Sequence, residues 1–404
     1  MIIALAVYGS LGDVQPFVAL AEALLARGHE VRLAGPPEYH DLIRARGVDF
    51  FPLGANLREF MAGIPDVTKL SAVIRTAFFL HREFEVQLSR LEPVVKGADL
   101  ALGASLCLGL RTAALLYDVP YRFIVFCPQM LPSAQHPNFL VRNHDRPTWF
   151  NRLSWSAVRG VDLFGVRRAV NRRHRRLGLP VVGDFWSHFL GEEVIVASDP
   201  EVAPVPPDAA EKYLQTGYWH LPDSGDLSPE IRAFLDAGDP PVYAGFGSMT
   251  SGNADQVTQI LTRATRAVGR RLIVSRGWAK LGGNRPDPDI LVIGPTPHAR
   301  LFPRLAAVIH HGGAGTTHTA ARAGVPQVII PHILDQFYWG SRVHRRGLGP
   351  RPIWRARLDL GLLAAALGRA VADKDIRRNA AEAAERMTRR NALDEAVRYI
   401  EALA

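Results

Sequence analysis

Short runs of aliphatic and β-branched residues recur along the chain, each followed by a turn and a stretch with helical spacing. Ile2–Val7, Val31–Ala34, Phe50–Leu53, Asp99–Leu102 and Tyr121–Phe126 have the length and composition of buried strands. Glu193–Ser198 and Tyr213–Thr216 continue the series. Between the first strands the spacing predicts a helix from about Val14 to Ala26, stopped by Gly28, and another over Glu38–Arg46, stopped by Gly47. This βαβαβ opening predicts a Rossmann-like half.

A second series begins at Pro241–Phe246 and runs through Arg271–Ser275, Ile290–Ile293, Ala307–His310 and Gln327–Ile330. Helices are expected over Ala254–Val268, near Leu360–Val371, over Asp375–Arg389 and over Leu393–Ala404. The stretch GYWHLPDSGDLSP is rich in turn formers and separates the two series. The expected organisation is therefore residues 1–217, a linker over 218–229, a second domain over 230–389 and a terminal segment over 390–404. A cleft between two such domains is a common place for a ligand.

Two segments break the rhythm. Asn56–Leu91 carries Phe60, Phe78, Phe79 and Phe84, and Pro128–Phe150 carries Met130, His136, Phe139, His144 and Trp149. Either reads as a loop packed on the core or as an irregular, aromatic wall of an apolar pocket. On the second reading Phe60, Phe79, Met130 and His136 are candidate acceptor contacts.

Candidate chemistry concentrates between Ala306 and Gln336. A strand (Ala307–His310), a glycine turn (Gly312–Gly315), a helix (Thr316–Ala323) and a second strand (Gln327–Ile330) make a βαβ unit. Gly312, Gly313 and Gly315 are expected to take positive φ and to let a ligand approach the backbone. The helix N-terminus after them attracts an anion. His311 precedes the turn and offers a donor to a phosphate oxygen. Asp335 and Gln336 follow the next strand and offer groups that bind hydroxyls. An anion cradle followed by such groups suggests a nucleotide-sugar site, whereas each part alone also suits tight packing or a helix cap.

Composition adds few constraints. The 404 residues suffice for two or three domains, and 48% hydrophobic with 22% charged residues is ordinary for a globular protein. Cys107 and Cys127 both lie in apolar runs and read as small packed hydrophobes. No apolar run approaches the ~18 residues of a membrane span. The first residues read as a strand rather than a signal peptide, so a cytoplasmic location is expected.

The net charge is +9, and part of the excess is local: ten arginines face two aspartates between Arg142 and Arg176. A solvated basic face is one reading and a weak contact with a membrane surface is another. No zinc-finger spacing or RNA-binding aromatic motif occurs, so no nucleic-acid partner is expected. Asp287 and Asp289 sit in a proline-rich turn before a strand and read as solvated. No metal site is expected.

HHGGAGTTHTAARAGVPQ, with Pro331 and Asp335–Gln336 after it, resembles the donor signature of family 1 glycosyltransferases of GT-B fold. GSLGDVQPFVALAEALLARGHEVRLA is similar to the opening of the bacterial antibiotic-tailoring branch, which includes the vancomycin-group enzymes. The resemblance implies an α/β protein of two Rossmann-like domains facing across a cleft. The first domain would hold the acceptor and the second a UDP- or dTDP-sugar, with the terminal helix packing back on the first domain.

The resemblance also implies roles residue by residue. Asp13 becomes the general base, with Ser10 and Gly12 beside the acceptor or phosphate. His311, Gly313, Ala314, Gly315 and Thr316 become the phosphate site, and Ser248 in GFGS contacts the diphosphate. Arg276 and Trp278 in SRGW, and His298, fall near the nucleoside. Asp335 and Gln336 bind sugar hydroxyls. Leu11 stands where the pattern usually has arginine, and Thr319 where plant relatives have a glutamate for the ribose.

The implied reaction is an inverting hexose transfer to a small, largely apolar acceptor, without metal or cofactor, the nucleotide-sugar being a co-substrate. A lipid or sterol acceptor at a membrane surface, a nucleotide-sugar epimerase and a non-catalytic auxiliary protein are the alternatives.

Overall fold

The computed structural model describes residues 1–62, 70–160, 165–222, 225–246, 254–276 and 287–403. These form two parallel sheets. The first contains β1 (Ile2–Tyr8), β2 (Glu30–Gly35), β3 (Asp49–Pro52), β4 (Leu100–Ser105), β5 (Tyr121–Val125), β6 (Glu193–Val196) and β7 (Lys212–Gln215). Its order is β3-β2-β1-β4-β5-β6-β7. The second contains β8 (Val242–Gly245), β9 (Leu272–Ser275), β10 (Ile290–Ile293), β11 (Ala307–His310) and β12 (Gln327–Ile329), in the order β10-β9-β8-β11-β12.

Continuous apolar strands are possible because helices cover both faces of each sheet. β1 shows this directly. Ile3, Leu5 and Val7 enter one core with the first helix, while Ala4, Ala6 and Tyr8 enter another on the opposite face. Strand order reverses between β1 and β4, and again between β8 and β11. Such switch points open a crevice at the carboxyl ends of the strands. The segments after β1, β4, β11 and β12 therefore converge on the place where ligands bind in this architecture.

Helices follow the sequence pattern with two instructive departures. The first helix spans Leu11–Ala26, so it starts three residues before the expected Val14. The Asn56–Leu91 segment is mostly helical rather than irregular, with one long helix over Leu70–Val95. Leu80, Phe84, Leu88, Leu91 and Val95 lie on its buried side at helical spacing. Aromatic residues had masked that period.

The C-terminal helix (Ala392–Glu401) crosses back to the first domain. Ala396, Val397 and Ile400 join the core of Val14, Val18 and Leu24. Arg27 meets Asp394 at 2.6 Å, and His29 meets Glu401 at 3.2 Å. Cys107 and Cys127 are buried, unbridged thiols.

The 128–147 segment is largely irregular, but it lies in the seam between the domains. The Arg345 guanidinium donates to the His144 carbonyl (2.7 Å) and pairs with Asp145 (3.2 Å). His136 is buried among Trp155 and Tyr338, the latter on the second domain. Burial also pushes its pKa down to about 4, so it stays neutral. The ring of His136, an expected acceptor contact, is thus packed between Trp155 and Tyr338.

Candidate active site

Asp13 lies in the first turn of the Leu11–Ala26 helix, whose N-cap is Ser10. Its Oδ2 accepts from the Ser10 backbone N–H (2.7 Å) and the Ser10 hydroxyl (2.8 Å). Oδ1 accepts from the Ser105 hydroxyl at 2.6 Å. A carboxylate has about four lone-pair positions, so these three donors leave about one, on Oδ1. Asp13 is therefore an oriented acceptor as well as part of a capping arrangement.

Ser105 was not anticipated from the sequence. It ends β4 beside Tyr8 of β1 and has φ of 58°. A non-glycine residue held in the left-handed region is uncommon and marks a constrained position. A lone serine after a small-residue strand carries no motif that would have revealed it.

Gly9 allows Asp13 to fold back so tightly: a Cβ at Gly9 would lie 2.5 Å from Asp13 Oδ2. Nearby, Phe60 and Phe79 stack at 3.7 Å, and Phe79 faces Tyr8 at 6.5 Å. These half-buried rings adjoin the end of β1. Met130 is half-buried against the first core, and its carbonyl accepts from the Trp186 indole at 3.0 Å. The structure thus brings Phe60 and Phe79 towards the end of β1, whereas Met130 serves partly as a tie to Trp186.

Across the cleft, Gly313 is the N-cap of the Ala314–Arg322 helix. Only Gly312 of the three expected glycines has positive φ, at 90°. The other two are needed for space. A Cβ at Gly313 would strike His311 Nε2 at 2.6 Å, and one at Gly315 would meet the Tyr218 hydroxyl at 3.0 Å. Ala314, Gly315 and Thr316 form the first turn, with their backbone N–H groups at the positive end of the helix.

His311 and His310 divide two tasks. His310 is buried; its Nδ1 accepts from Gly312 N–H (3.1 Å), which leaves the ring proton on Nε2 facing Gln327 Oε1 (2.9 Å). It holds the turn. His311 has a buried Nδ1 without a hydrogen-bond partner among the described residues. Burial, with His310 and His332 adding to it, pushes its pKa down to about 3, so the imidazole is a neutral donor at ordinary pH.

Asp335 begins the Gln336–Arg345 helix, and its Oδ2 accepts from the Trp339 indole at 3.0 Å. Burial pushes its pKa up to about 6, and the negative charge of Asp13 contributes to the rise. The two carboxylates therefore sense one another across the cleft. Gln336 is buried, and its Oε1 accepts from the backbone N–H groups of His332 (2.8 Å) and Ile333 (3.1 Å). Its carbonyl end shapes the loop that leads into the helix.

His298 Nε2 meets the Tyr243 hydroxyl at 3.0 Å, and its ring stacks on Phe302. Arg276 follows β9 and is exposed at its carboxyl end. Ser248 and Trp278 lie outside the described residues. Asp287 and Asp289 are engaged by Arg266, at 2.7 and 3.4 Å, so they form a surface ion pair rather than bare carboxylates.

Comparison with known proteins agrees with this arrangement. Residues 3–103 match the glycosyltransferase family 28 N-terminal domain, and residues 278–403 match the C-terminal domain described as erythromycin biosynthesis protein CIII-like. Glycosyltransferase GtfE of Amycolatopsis orientalis is 39% identical over 86% of this chain and 85% of its own. The vancomycin aglycone glucosyltransferase of the same organism is 37% identical over the same shares. Among solved structures, the glycotransferase of kitacinnamycin superposes with a TM-score of 0.76 over 99% of this chain and 98% of that one, at 18% identity. The calicheamicin glycosyltransferase CalG4 gives 0.74 over 99% and 97%, also at 18% identity.

A two-domain α/β architecture with a diphosphate-type loop facing an oriented carboxylate defines a glycosyltransferase of GT-B fold. The chain belongs to the family of bacterial glycosyltransferases that includes the vancomycin-group enzymes.

Two expectations follow from this geometry. His311→Ala and Gly315→Val should each weaken binding of UDP or dTDP by roughly tenfold or more, by loss of a hydrogen bond to an anion or by crowding of the first turn. Titration calorimetry on folded variants checks this; unchanged affinity in both would displace the donor site.

The second concerns Asp335. A folded pKa raised above the ordinary carboxylate value means that the native chain holds this proton more tightly than the unfolded chain. Ionisation therefore costs stability as pH rises from about 4 through about 6. Asp335→Asn should raise Tm relative to the parent at pH 7–8 and leave it unchanged near pH 4, while weakening binding of a hydroxyl-rich sugar donor. Thermal denaturation across that pH range is the check.

Proposed function

We propose that the protein transfers a hexose from a UDP- or dTDP-sugar to a hydroxyl of a small, largely apolar natural-product acceptor, with inversion at the anomeric carbon. The observation that carries this reading is the one remaining acceptor position on Asp13 Oδ1, held open opposite the Gly313 helix turn and Asp335. Asp13 takes the proton of the acceptor hydroxyl. The oxygen then attacks the anomeric carbon as the bond to the diphosphate breaks, and the leaving diphosphate departs with the electron pair.

The developing charge on that diphosphate falls on the N–H groups of the helix start and on neutral His311. These groups supply the stabilisation from the chain itself, without calling on a metal ion. Asp335 orients the sugar through its hydroxyls. Support for the donor class comes from VinC, a glycosyltransferase solved in complex with dTDP that superposes with a TM-score of 0.70. The vancomycin aglycone glucosyltransferase supports an antibiotic-type acceptor. The donor loop and the base are both intact, which favours transfer over an auxiliary role.

Single-turnover transfer by folded Asp13→Asn, at saturating donor and acceptor, tests the mechanism. The rate should fall by about 10²–10⁴-fold, and a more acidic phenolic acceptor should recover part of it. Donor binding should change far less, because the phosphate site belongs to the other domain. A near-parental rate would leave Asp13 as a helix cap alone.

One observation favours a second reading, a lipid or sterol acceptor met at a membrane surface. Trp149 and Leu153 are 65% and 60% exposed on one face of the Thr148–Gly160 helix. Arg146 and Arg152 flank them, and exposed Arg168, Arg172, Arg175 and Arg176 crowd the Val166–Leu177 helix. A sterol 3-beta-glucosyltransferase of Arabidopsis thaliana is 32% identical over 90% of this chain and 62% of its own. If the second reading holds, the protein should co-sediment with vesicles containing anionic phosphatidylglycerol, and salt should weaken it. The double variant Trp149→Ala, Leu153→Ala should release it without altering nucleotide binding. No binding by the parent at low salt would remove this reading.

A further inference from the structure

The linker residue Tyr218 stands between the two halves of the site. Its neighbour Gly217 has φ of 97°, and a Cβ there would lie 2.8 Å from Asp199 Oδ1 and 3.2 Å from Arg390 Cδ. Only glycine lets the chain turn through that gap. Trp219 then buries completely in the first domain, with its indole donating to the Thr216 hydroxyl at 3.0 Å. Tyr218 is sent the other way, towards the second domain.

There its ring is clamped. It stacks on His318 at 4.9 Å with 14° between planes, and His220 meets it edge-on at 4.9 Å. His318 is fixed in turn by Asp199 (3.0 Å) and Ser198 (3.4 Å). The hydroxyl ends 3.0 Å from where a Cβ of Gly315 would stand, at the first turn of the Ala314–Arg322 helix.

Tyr218 is 6% exposed as a residue, and its hydroxyl makes no hydrogen bond among the described residues, which leaves the oxygen open at the edge of the helix start. Burial, with the charges of Asp13 and Asp199, pushes the phenol well above its ordinary pKa, so it is a neutral O–H donor. An unused donor beside a free helix N-terminus calls for an anion.

We propose that Tyr218 is a donor-binding residue whose hydroxyl donates to an oxygen of the sugar-nucleotide diphosphate seated on the Gly313–Thr316 turn. The inference rests on the donor-site reading above. It deepens that reading by making the linker, rather than either sheet, the source of a contact to the leaving group. The same bond would strengthen as the diphosphate gains charge, so it would serve transfer as well as binding.

Tyr218→Phe keeps the ring stack and removes only the O–H. UDP or dTDP should bind about 10- to 100-fold more weakly, the scale of one hydrogen bond to a charged group. Binding of the parent nucleoside, which has no phosphate, should not change. Gly315→Ala gives a second route: its methyl crowds the hydroxyl and should cost affinity in the parent, but should cost less in the Tyr218→Phe background. That coupling reads the hydroxyl even if one variant is less stable.

Unchanged diphosphate affinity in Tyr218→Phe, with His311→Ala still impaired, would overturn the proposal and spare the donor site. Unchanged affinity in both would overturn the donor site as well. Equal weakening for nucleoside and nucleoside diphosphate would also overturn the proposal, because the hydroxyl would then be acting through structure.

Discussion

The structure depends on how the two domains are pinned together near residue 217. The candidate base belongs to one domain and the candidate diphosphate turn to the other, so neither would hold a complete site. What sets their separation is a buried contact of His318 on Asp199, beneath the donor helix. Burial alone would raise the Asp199 carboxyl, but His318 and His220 beside it hold it below the ordinary carboxylate value. Arg390 then pairs with Glu201 at 2.9 Å and approaches Asp199 at 3.7 Å, tying the chain just before the terminal helix to the same point. Asp199 is buried, so removing a group that faces it would leave its carboxylate poorly compensated, and this junction is less tolerant than a surface pair.

Around that junction, rigidity and reactivity come from the same bonds. The two Ser10 donors would satisfy a capping carboxylate, and Ser105 adds a third from a strained backbone. Capping alone does not account for a donor reaching from a different strand. The constraint makes sense if the direction of the last Oδ1 lone pair matters. Asp335 shows the complementary case: it is held where ionisation is disfavoured, which costs stability, as the proposed role of binding sugar hydroxyls would require. Sites that violate local rules while the rest of the chain obeys them are where function is expected.

Much of this was legible in the sequence. Strands were visible because parallel sheets bury both faces, so each appears as an unbroken apolar run. The glycine turn between strand and helix was visible because glycines, histidines and the Asp-Gln pair lie close together in the chain. The reasons for the glycines were not: only Gly312 needs positive φ, whereas Gly313 and Gly315 make room for the His311 ring and the Tyr218 hydroxyl. Those neighbours are set by tertiary packing. The surroundings of His136 were not legible for the same cause, since an irregular segment between domains has no period that separates a seam from a pocket wall. The Leu70–Val95 helix was hidden by its aromatics.

Ser105 and Tyr218 escaped for a different reason: each is a single polar residue outside any motif. Tyr218 nevertheless has a logic that the chain direction imposes. In an extended segment consecutive side chains point to opposite sides. Once Trp219 is anchored in the first domain, Tyr218 faces away from that core and packs on the Ala314–Arg322 helix. The anchor and the contact therefore cannot be varied independently. A linker that holds two domains at a fixed distance also delivers a hydroxyl to the point where leaving-group charge would develop, and the glycine before it is what permits both.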